Sequence, residues 1–424
     1  MRKYIHILFY SLILFGHSIS AQKQVLTLEQ AKTLAKNNNK KTLIATQTIE
    51  AAKSAEASVY SSDKPFIDAS AMGIHVGDPL NVLLPKYQAT ASLGVTQVIY
   101  SGGKINTAKK MSTSAVELYT SQKELTESEV ILDVETTYWQ IINVGAKIDL
   151  AVKYNSLLSE LLKDLTNAFD AGIIYKNDVL QVQVQLNQAE LDLERAKNGL
   201  SILKLKMAQL IGFADSNFEV EGTIENSVTV TEKPSSEQVL GKRPEIKILN
   251  NAVELEALQG KILEGDSKPT VAANISGLYT TGKQINFKNG SNDLASYYGT
   301  LNVSIPVFDW GKRKQKVKEQ QFKTEAKQLE LEETQELVLI QVENAYLELQ
   351  QAIKRIAISE RSLEQAEENL RLHQDRFEAG TVIGKDVLEA QVLWQKAYTE
   401  VIDAKVMKQI SLASYEKAIG EINN

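Results

Sequence analysis

The chain has 424 residues, 43% hydrophobic and 24% charged, enough apolar surface for a large buried core and too much for a disordered segment. Its formal net charge of −6 argues against nucleic acid as a partner. It has no cysteine, which excludes disulfides, thiolate metal sites and cysteine nucleophiles, and its 7 prolines suit long uninterrupted helices.

Arg2 and Lys3 precede an apolar run from Ile5 to Phe15, and small residues follow at Ser18, Ser20 and Ala21. This is the pattern of a secretory signal peptide over residues 1–21, cleaved after Ser20 or Ala21; the run is shorter than the roughly 20 residues of a spanning helix. Cleavage removes two positive charges and no acid, so −6 becomes −8, and it leaves His75 and His373 as the remaining histidines. A histidine-dependent catalytic site, a metal site or a bound cofactor is therefore not expected. No later segment reads as a transmembrane helix, so any membrane crossing must use strands.

The mature chain then follows one plan twice. A helical stretch covers about Lys40–Ser61, strand-like stretches cover Phe66–Val76 and Tyr87–Thr96, and a very long helix, an Ala-Gly turn and a second helix follow to residue 212. A linker, Phe213–Lys242, is rich in Ser, Thr, Val and Glu and reads as a small strand-and-loop element without helix. The plan restarts with a helix at Pro244–Leu263 and strands at Thr270–Thr281 and Tyr297–Val307. The predicted organisation is thus signal 1–21, first repeat 22–212, linker 213–242 and second repeat 243–424.

The repeat rests on residue landmarks. Phe169-Asp170-Ala171-Gly172 recurs as Phe377-Glu378-Ala379-Gly380, Asp178-Val179-Leu180 as Asp386-Val387-Leu388, Gly103-Lys104 as Gly311-Lys312, and Ile211-Gly212 as Ile419-Gly420, all 208 residues apart. Pro65 and Pro269 are 204 apart, so the second copy carries four extra residues, placed by the sequence in the loop Gly282–Ser296.

In the strand Tyr87–Thr96 the residues Tyr87, Ala89, Ala91, Leu93 and Val95 form an apolar face opposite Gln88, Thr90, Ser92, Gly94 and Thr96. In the second copy Tyr297, Leu301, Val303, Ile305 and Val307 oppose Thr300, Asn302 and Ser304. Such alternation fits a half-buried soluble sheet or a barrel strand in lipid. The absence of charge from Tyr87 to Ser101, with Tyr87, Tyr100, Tyr279, Tyr297, Tyr298 and Trp310 edging the strands, favours the barrel, because aromatic residues gather at membrane–water boundaries.

The long helices carry a 3.5-residue seam. In the second copy it runs Val342, Ala345, Leu349, Ala352, Ile356, Ser359, Leu363, Ala366, Leu370, His373 and Phe377; in the first, Val134, Thr137, Ile141, Val144, Ile148, Ala151, Asn155, Leu158, Leu162, Leu165 and Phe169. The small and polar seam residues suit a broad multi-helix wall, and His373 reads as a packing histidine. The stretch Thr107–Ala168 makes a rod of about 93 Å at 1.5 Å per residue.

The order and duplication of these motifs resemble the outer-membrane efflux protein family, the TolC-like outer-membrane channels. The resemblance is carried by Val98-Ile99-Tyr100-Ser101-Gly102-Gly103 and Ile305-Pro306-Val307-Phe308-Asp309-Trp310-Gly311 at the strand-to-helix junctions. The two Phe-x-Ala-Gly turns and Arg243-Pro244-Glu245-Ile246 add to it. It implies a mostly α fold with membrane β: long helical hairpins forming a periplasmic α-barrel, and four strands per chain contributing to a shared outer-membrane β-barrel in a homotrimer. Strand counting alone leaves two, three or four copies open, since a membrane barrel needs about eight strands or more.

The resemblance further implies a passive exit duct for efflux or type I secretion, with no chemistry of its own. Its implied partners are outer-membrane lipid, a periplasmic adaptor (membrane fusion protein) and an inner-membrane transporter of the proton-driven RND or the ABC type. The turns Ala171-Gly172 and Ala379-Gly380 would form the adaptor-contacting tip, and Asp178, Asp386 and Glu389 match acidic positions at the aperture. An Asp in the first turn of a helix also serves free backbone N–H groups and the dipole, so capping competes with gating for Asp178 and Asp386. The sequence departs from the TolC-like pattern at Phe377, which lacks a hydroxyl, and at Val382, which lacks a charge; packing takes the place of polar latches there. The competing expectation is a periplasmic coiled-coil adaptor or scaffold without a barrel, which leaves the four alternating strands without a role. No nucleophile–His–acid set or Gly-rich phosphate loop supports an enzyme.

Overall fold

The structure, a computed structural model, describes residues 24–222 and 233–422. The signal segment and part of the linker lie outside these residues. In chain order the elements are β1 (Gln24–Leu26), α1 (Leu28–Asn38), α2 (Lys40–Tyr60), β2 (Phe66–His75), β3 (Tyr87–Tyr100), α3 (Lys104–Asp170) and α4 (Lys176–Ile211). They continue with β4 (Phe218–Val220), α5 (Ser236–Lys242), α6 (Pro244–Gly265), β5 (Thr270–Gly282), β6 (Asp293–Ser304), α7 (Lys312–Glu378) and α8 (Gly384–Ala418). Helices α3 and α7 are 67 residues each, about 100 Å at 1.5 Å per residue. Neither contains a proline, and their ends fall at positions 208 apart.

Two differences from the sequence reading concern short elements. The linker was expected to lack helix, yet Ser236–Lys242 forms α5, while the expected strand appears as β4. The N-terminal β1 and α1 were not expected at all. Both helices start on a capping box: Thr27 Oγ1 accepts the Gln30 N–H at 3.3 Å while Gln30 Oε1 accepts the Thr27 N–H at 3.1 Å, and Ser235 and Gln238 make the same exchange at 3.4 and 3.0 Å. The caps lie 208 apart and the helices that follow are 11 and 7 residues long, so the repeat begins upstream of the landmarks used to find it.

The chain divides into two compact units, each drawing on both repeats. One comprises the described residues of 1–40, 128–232 and 343–424. Here β1 and β4 pair in parallel, with Gln24 opposite Phe218 and Leu26 opposite Val220. They sit on a core of Ala31 and Ala35 from α1, Val130, Val134, Tyr138 and Ile141 from α3, and Met207, Leu210 and Ile211 from α4. Asn39 donates to the Leu210 carbonyl at 2.9 Å, and the Tyr138 hydroxyl donates to the Glu221 carbonyl. A second core joins four helices: Leu150, Tyr154, Leu158, Leu161 and Leu165 of α3, Val182 and Leu186 of α4, Ala366 and Leu370 of α7, and Val387, Ala390 and Trp394 of α8.

The expected α7 seam is buried or half-buried throughout, His373 included. On α3 the seam is displaced. Ala151, Asn155 and Leu162 are half-buried, Phe169 is exposed, and Leu150, Tyr154 and Leu161 take the fully buried places. A wide apolar stripe serves a four-helix core, whereas a strict heptad describes contact with one neighbour.

The other unit comprises residues 41–127 and 233–342. Its four-stranded antiparallel sheet has the order β2-β3-β5-β6. Phe66 faces Thr96 in the first hairpin and Thr270 faces Ser304 in the second. The offset therefore changes from 204 to 208 between β5 and β6, which puts the four extra residues in the loop where the sequence placed them. The expected strand to Val307 stops at Ser304, because β6 is an edge strand with no partner for Ile305–Phe308. Beside the sheet, α3 is tied to α2 by Thr113–Glu56 at 2.6 Å and to the turns that lead into β2 and β5 by Lys109–Asp63 at 2.6 Å and Lys104–Asp266 at 2.9 Å.

Candidate functional site

The sheet has a polar face that bonds to itself and an apolar face that bonds to nothing. Pairing puts Ile67, Ala69 and Ala71 of β2 beside Val95, Leu93 and Ala91 of β3; these face Ile275, Gly277 and Tyr279 of β5, which face Gly299, Tyr297 and Ala295 of β6. Along β3 these apolar positions are exposed, while Thr90, Ser92 and Thr96 are half-buried and Gly94 is buried. On the polar face Ser70 and Ser92 hydroxyls lie 2.7 Å apart, Thr90 and Thr280 hydroxyls 3.0 Å, and Asn274 donates to Thr96 Oγ1 at 2.9 Å. A soluble half-buried sheet hides its apolar face and wets its polar one; the central strands β3 and β5 cover their polar-face residues more than their apolar ones, as strands of a wall in lipid must, while the edge strands β2 and β6 are exposed on both faces. The strands are 10, 14, 13 and 12 residues long, against the 9–11 that a tilted strand needs to cross a bilayer.

The aromatic positions sort by face. Tyr87, Tyr279 and Tyr297 lie on the apolar face, and a register shift between Val98 and Tyr100 places Tyr100 opposite Val271 on that face. Tyr298 pairs with Ser276 on the polar face, so it does not belong to the expected girdle. The reason is the period of two: adjacent tyrosines cannot share a face. Phe308 and Trp310, exposed beyond the end of β6, stack edge to face with ring centroids 5.0 Å apart. The sequence counted Trp310, and not Phe308, among the aromatic residues that edge the strands.

The two Ala-Gly turns lie in the other unit. At the end of α3 the Gly172 N–H donates to the Phe169 carbonyl at 2.8 Å and Ile173 to Ala168 at 2.9 Å; at the end of α7 Gly380 donates to Phe377 and Thr381 to Arg376, both at 2.9 Å. This is the Schellman closure, and it needs the positive φ of 74° at Gly172 and 71° at Gly380. Ala171, Ala379, Ile173, Tyr175 and Ile383 are exposed at the turns; the last three carry the apolar surface there and were not singled out from sequence.

Beyond the second turn, α8 approaches the core closely. A Cβ on Gly384 would lie 2.5 Å from Leu165 Cδ2. The first-repeat counterpart of Gly384 is Lys176, so the two turns differ here. Asp386 accepts the Ile383 N–H at 3.2 Å, the arrangement expected of a capping carboxylate. Glu389 is exposed and lies 3.6 Å from Lys385. Asp178 occupies the first turn of α4, half-buried. Phe377 packs against the four-helix core, and Val382 is half-buried.

One ionic cluster was not anticipated. Glu135 of α3 is buried with Lys32 of α1 at 2.6 Å. Burial pushes the Glu135 carboxyl above its ordinary range in spite of Lys32. Burial works against the Lys32 charge, but Glu135 and Glu29 hold its pKa above the ordinary value. Glu416 is raised by burial and by the charge of Glu135. Among the described residues no group of three or more His, Cys, Asp or Glu side chains could hold a metal ion, and no helix is long and apolar enough to cross a membrane.

Residues 237–421 match the model of the family described as outer membrane efflux protein. Outer membrane protein TolC of Escherichia coli (strain K12) is 21% identical over 348 residues, covering 79% of this chain and 70% of that protein. The CmeC outer membrane channel of Campylobacter jejuni superposes with a TM-score of 0.82 at 18% identity, over 93% of this chain and 86% of that one. The structure of CusC superposes with a TM-score of 0.83 at 14% identity, over 93% and 92%.

Proposed function

We infer that this TolC-like chain, similar in sequence and fold to the outer membrane efflux proteins, is the outer-membrane subunit of an export duct with a large periplasmic extension. The observation that carries the reading is the four-stranded sheet with one bare apolar face and one self-bonded polar face. A helical adaptor without a barrel leaves that apolar face in water at a cost of about 25 cal/mol per Å².

The sheet has two open edges, β2 and β6, and its alternating strands allow β6 of one copy to pair antiparallel with β2 of the next. Such head-to-tail pairing closes into a ring, and three copies give 12 strands, the homotrimer that the resemblance implies. The duct is passive: substrate diffuses through it, delivered by an inner-membrane RND or ABC transporter through a periplasmic adaptor. The exposed apolar residues at the turns Ala171-Gly172 and Ala379-Gly380 support adaptor docking there. In a three-fold ring Asp386 and Glu389 contribute six carboxylates around one axis, with Asp178 near the first turn, and their like charges favour cations.

The test combines the mass of the detergent-solubilised protein with conductance in planar bilayers. The expected result is a trimer that forms steady, cation-selective pores. A monomer without pore activity overturns the reading.

A further inference from the structure

The open edges of the sheet do more than permit a ring, because the internal repeat dictates how they meet. The first hairpin maps onto the second residue by residue when β2 is advanced by 204 positions and β3 by 208. Phe66 opposite Thr96 becomes Thr270 opposite Ser304, and His75 opposite Tyr87 becomes Tyr279 opposite Ala295; both pairs are observed. The β3–β5 seam is therefore the junction from first repeat to second, and the junction from β6 to the β2 of a neighbouring copy is its counterpart.

We propose that copies join through one register of β6 against the next copy's β2, with Ser304 opposite Ser70, Asn302 opposite Met72 and Leu301 opposite Gly73, and with Ile305–Phe308 completing β6 as strand. This rests on the ring of copies described above. The register is the β3–β5 pairing carried over by the two offsets: Thr96 with Asn274, Gly94 with Ser276, and Leu93 with Gly277.

The chemistry of the transferred pairs agrees with that of the observed seam. On the polar face, the Asn274–Thr96 pair becomes a pair of serines, Ser70 with Ser304. On the apolar face, Leu93 beside Gly277 becomes Leu301 beside Gly73, again a leucine lying over a glycine. The register shift between Val98 and Tyr100 falls on Pro306 and Phe308. A proline has no N–H to donate, and a bulge is one of the few places where a strand accepts it. Phe308 then takes the place of Tyr100, outward and beside Ile67, as Tyr100 lies beside Val271. A slip by one residue would turn the apolar set of β6 toward the polar face, and a slip by two would separate the leucine from the glycine.

The chain has no cysteine, so introduced pairs are its only thiols. Two register pairs, Ser70→Cys with Ser304→Cys and Met72→Cys with Asn302→Cys, are compared with the same positions exchanged, Met72→Cys with Ser304→Cys and Ser70→Cys with Asn302→Cys. Facing residues hold their Cβ atoms about 4.5–5.5 Å apart and diagonal ones stand further apart, so direct disulfide formation under copper–phenanthroline, which needs Cβ atoms about 3.5–4.5 Å apart, separates them. Membranes carrying the register pairs should yield covalent ladders in denaturing gels, and the exchanged pairs should yield monomer. Ladders from an exchanged pair, with the uncross-linked protein still an oligomer in detergent, overturn the register alone. A monomeric mass for the unmodified chain overturns the ring itself.

Discussion

Leu93 gives the sharpest test of which face of the sheet meets lipid. It is 58% exposed and is flanked across the strands by Ala69 and Gly277, which are too small to cover it. It is the seventh of 14 residues in β3, and six steps from Tyr87 at about 3.4 Å make about 20 Å along the strand. With a tilt near 45° the depth is about 14 Å, close to the middle of an apolar layer roughly 25–30 Å thick. An arginine near the midplane costs about 2–4 kcal/mol, a roughly 30- to 700-fold loss in the folding equilibrium per copy. Leu93→Arg should lower the unfolding free energy of the protein folded into phospholipid vesicles by that amount, seen as a lower urea midpoint at unchanged slope and read by tryptophan fluorescence. Ser92→Arg, on the polar face one residue away, should lose much less and should instead change single-channel conductance. In water an exposed leucine exchanged for arginine is nearly neutral, within about 0.5 kcal/mol. A vesicle midpoint for Leu93→Arg equal to that of the parent would refute the outward assignment of this face.

Gly384→Ala should destabilise by about 1–3 kcal/mol through overpacking on buried Leu165, and Leu165→Ala in the same chain should make the two losses less than additive; thermal denaturation of the four variants measures it. Gly172→Ala and Gly380→Ala should each cost about 1–2 kcal/mol from backbone strain alone, since a Cβ there meets nothing, whereas Gly172→Trp with Gly380→Trp should in addition abolish export while oligomers persist in the membrane. Glu135 binds its proton more tightly in the folded chain than in the unfolded one, so stability should fall as pH rises from the ordinary carboxylate range through its raised value; Glu135→Gln should flatten that slope in urea titrations across pH, leaving the contribution of Glu416. Asp386→Asn with Glu389→Gln should reduce cation selectivity in planar bilayers with a stability loss of about 1 kcal/mol or less, and an unchanged reversal potential would leave these residues as cap and surface charge only.

Much of the fold was legible because the features that announce it are local. A proline-free run of 67 residues with an apolar stripe at helical spacing announces one long helix, a Phe-x-Ala-Gly sequence closes that helix in a Schellman turn, and a fixed offset of 208 marks the second copy of both. The capping boxes at Thr27 and Ser235 were equally local, and α1 and α5 were missed because a short helix has too few turns to display a period. The aperture residues were legible as positions and not as contacts. Asp386 could be placed in a first helical turn, where its carboxylate receives the Ile383 N–H three residues back, but that Gly384 lets α8 lie on Leu165 is a statement about atoms far apart in the chain.

The sequence by itself determined the types of the long elements, the duplication and the two faces of β3 and β6, since helix and strand periods are properties of consecutive residues. It could not say which face of the sheet is covered, because alternation is the same for a soluble sheet and for a barrel wall. It could not assign Tyr298 to the polar face, detect the free edges at β2 and β6, or place Leu150 and Tyr154 ahead of Ala151 and Asn155 in the core. Those were decided by tertiary structure, where strand register and the number of packed neighbours fix what is exposed, and no window of sequence contains both sides of such a contact.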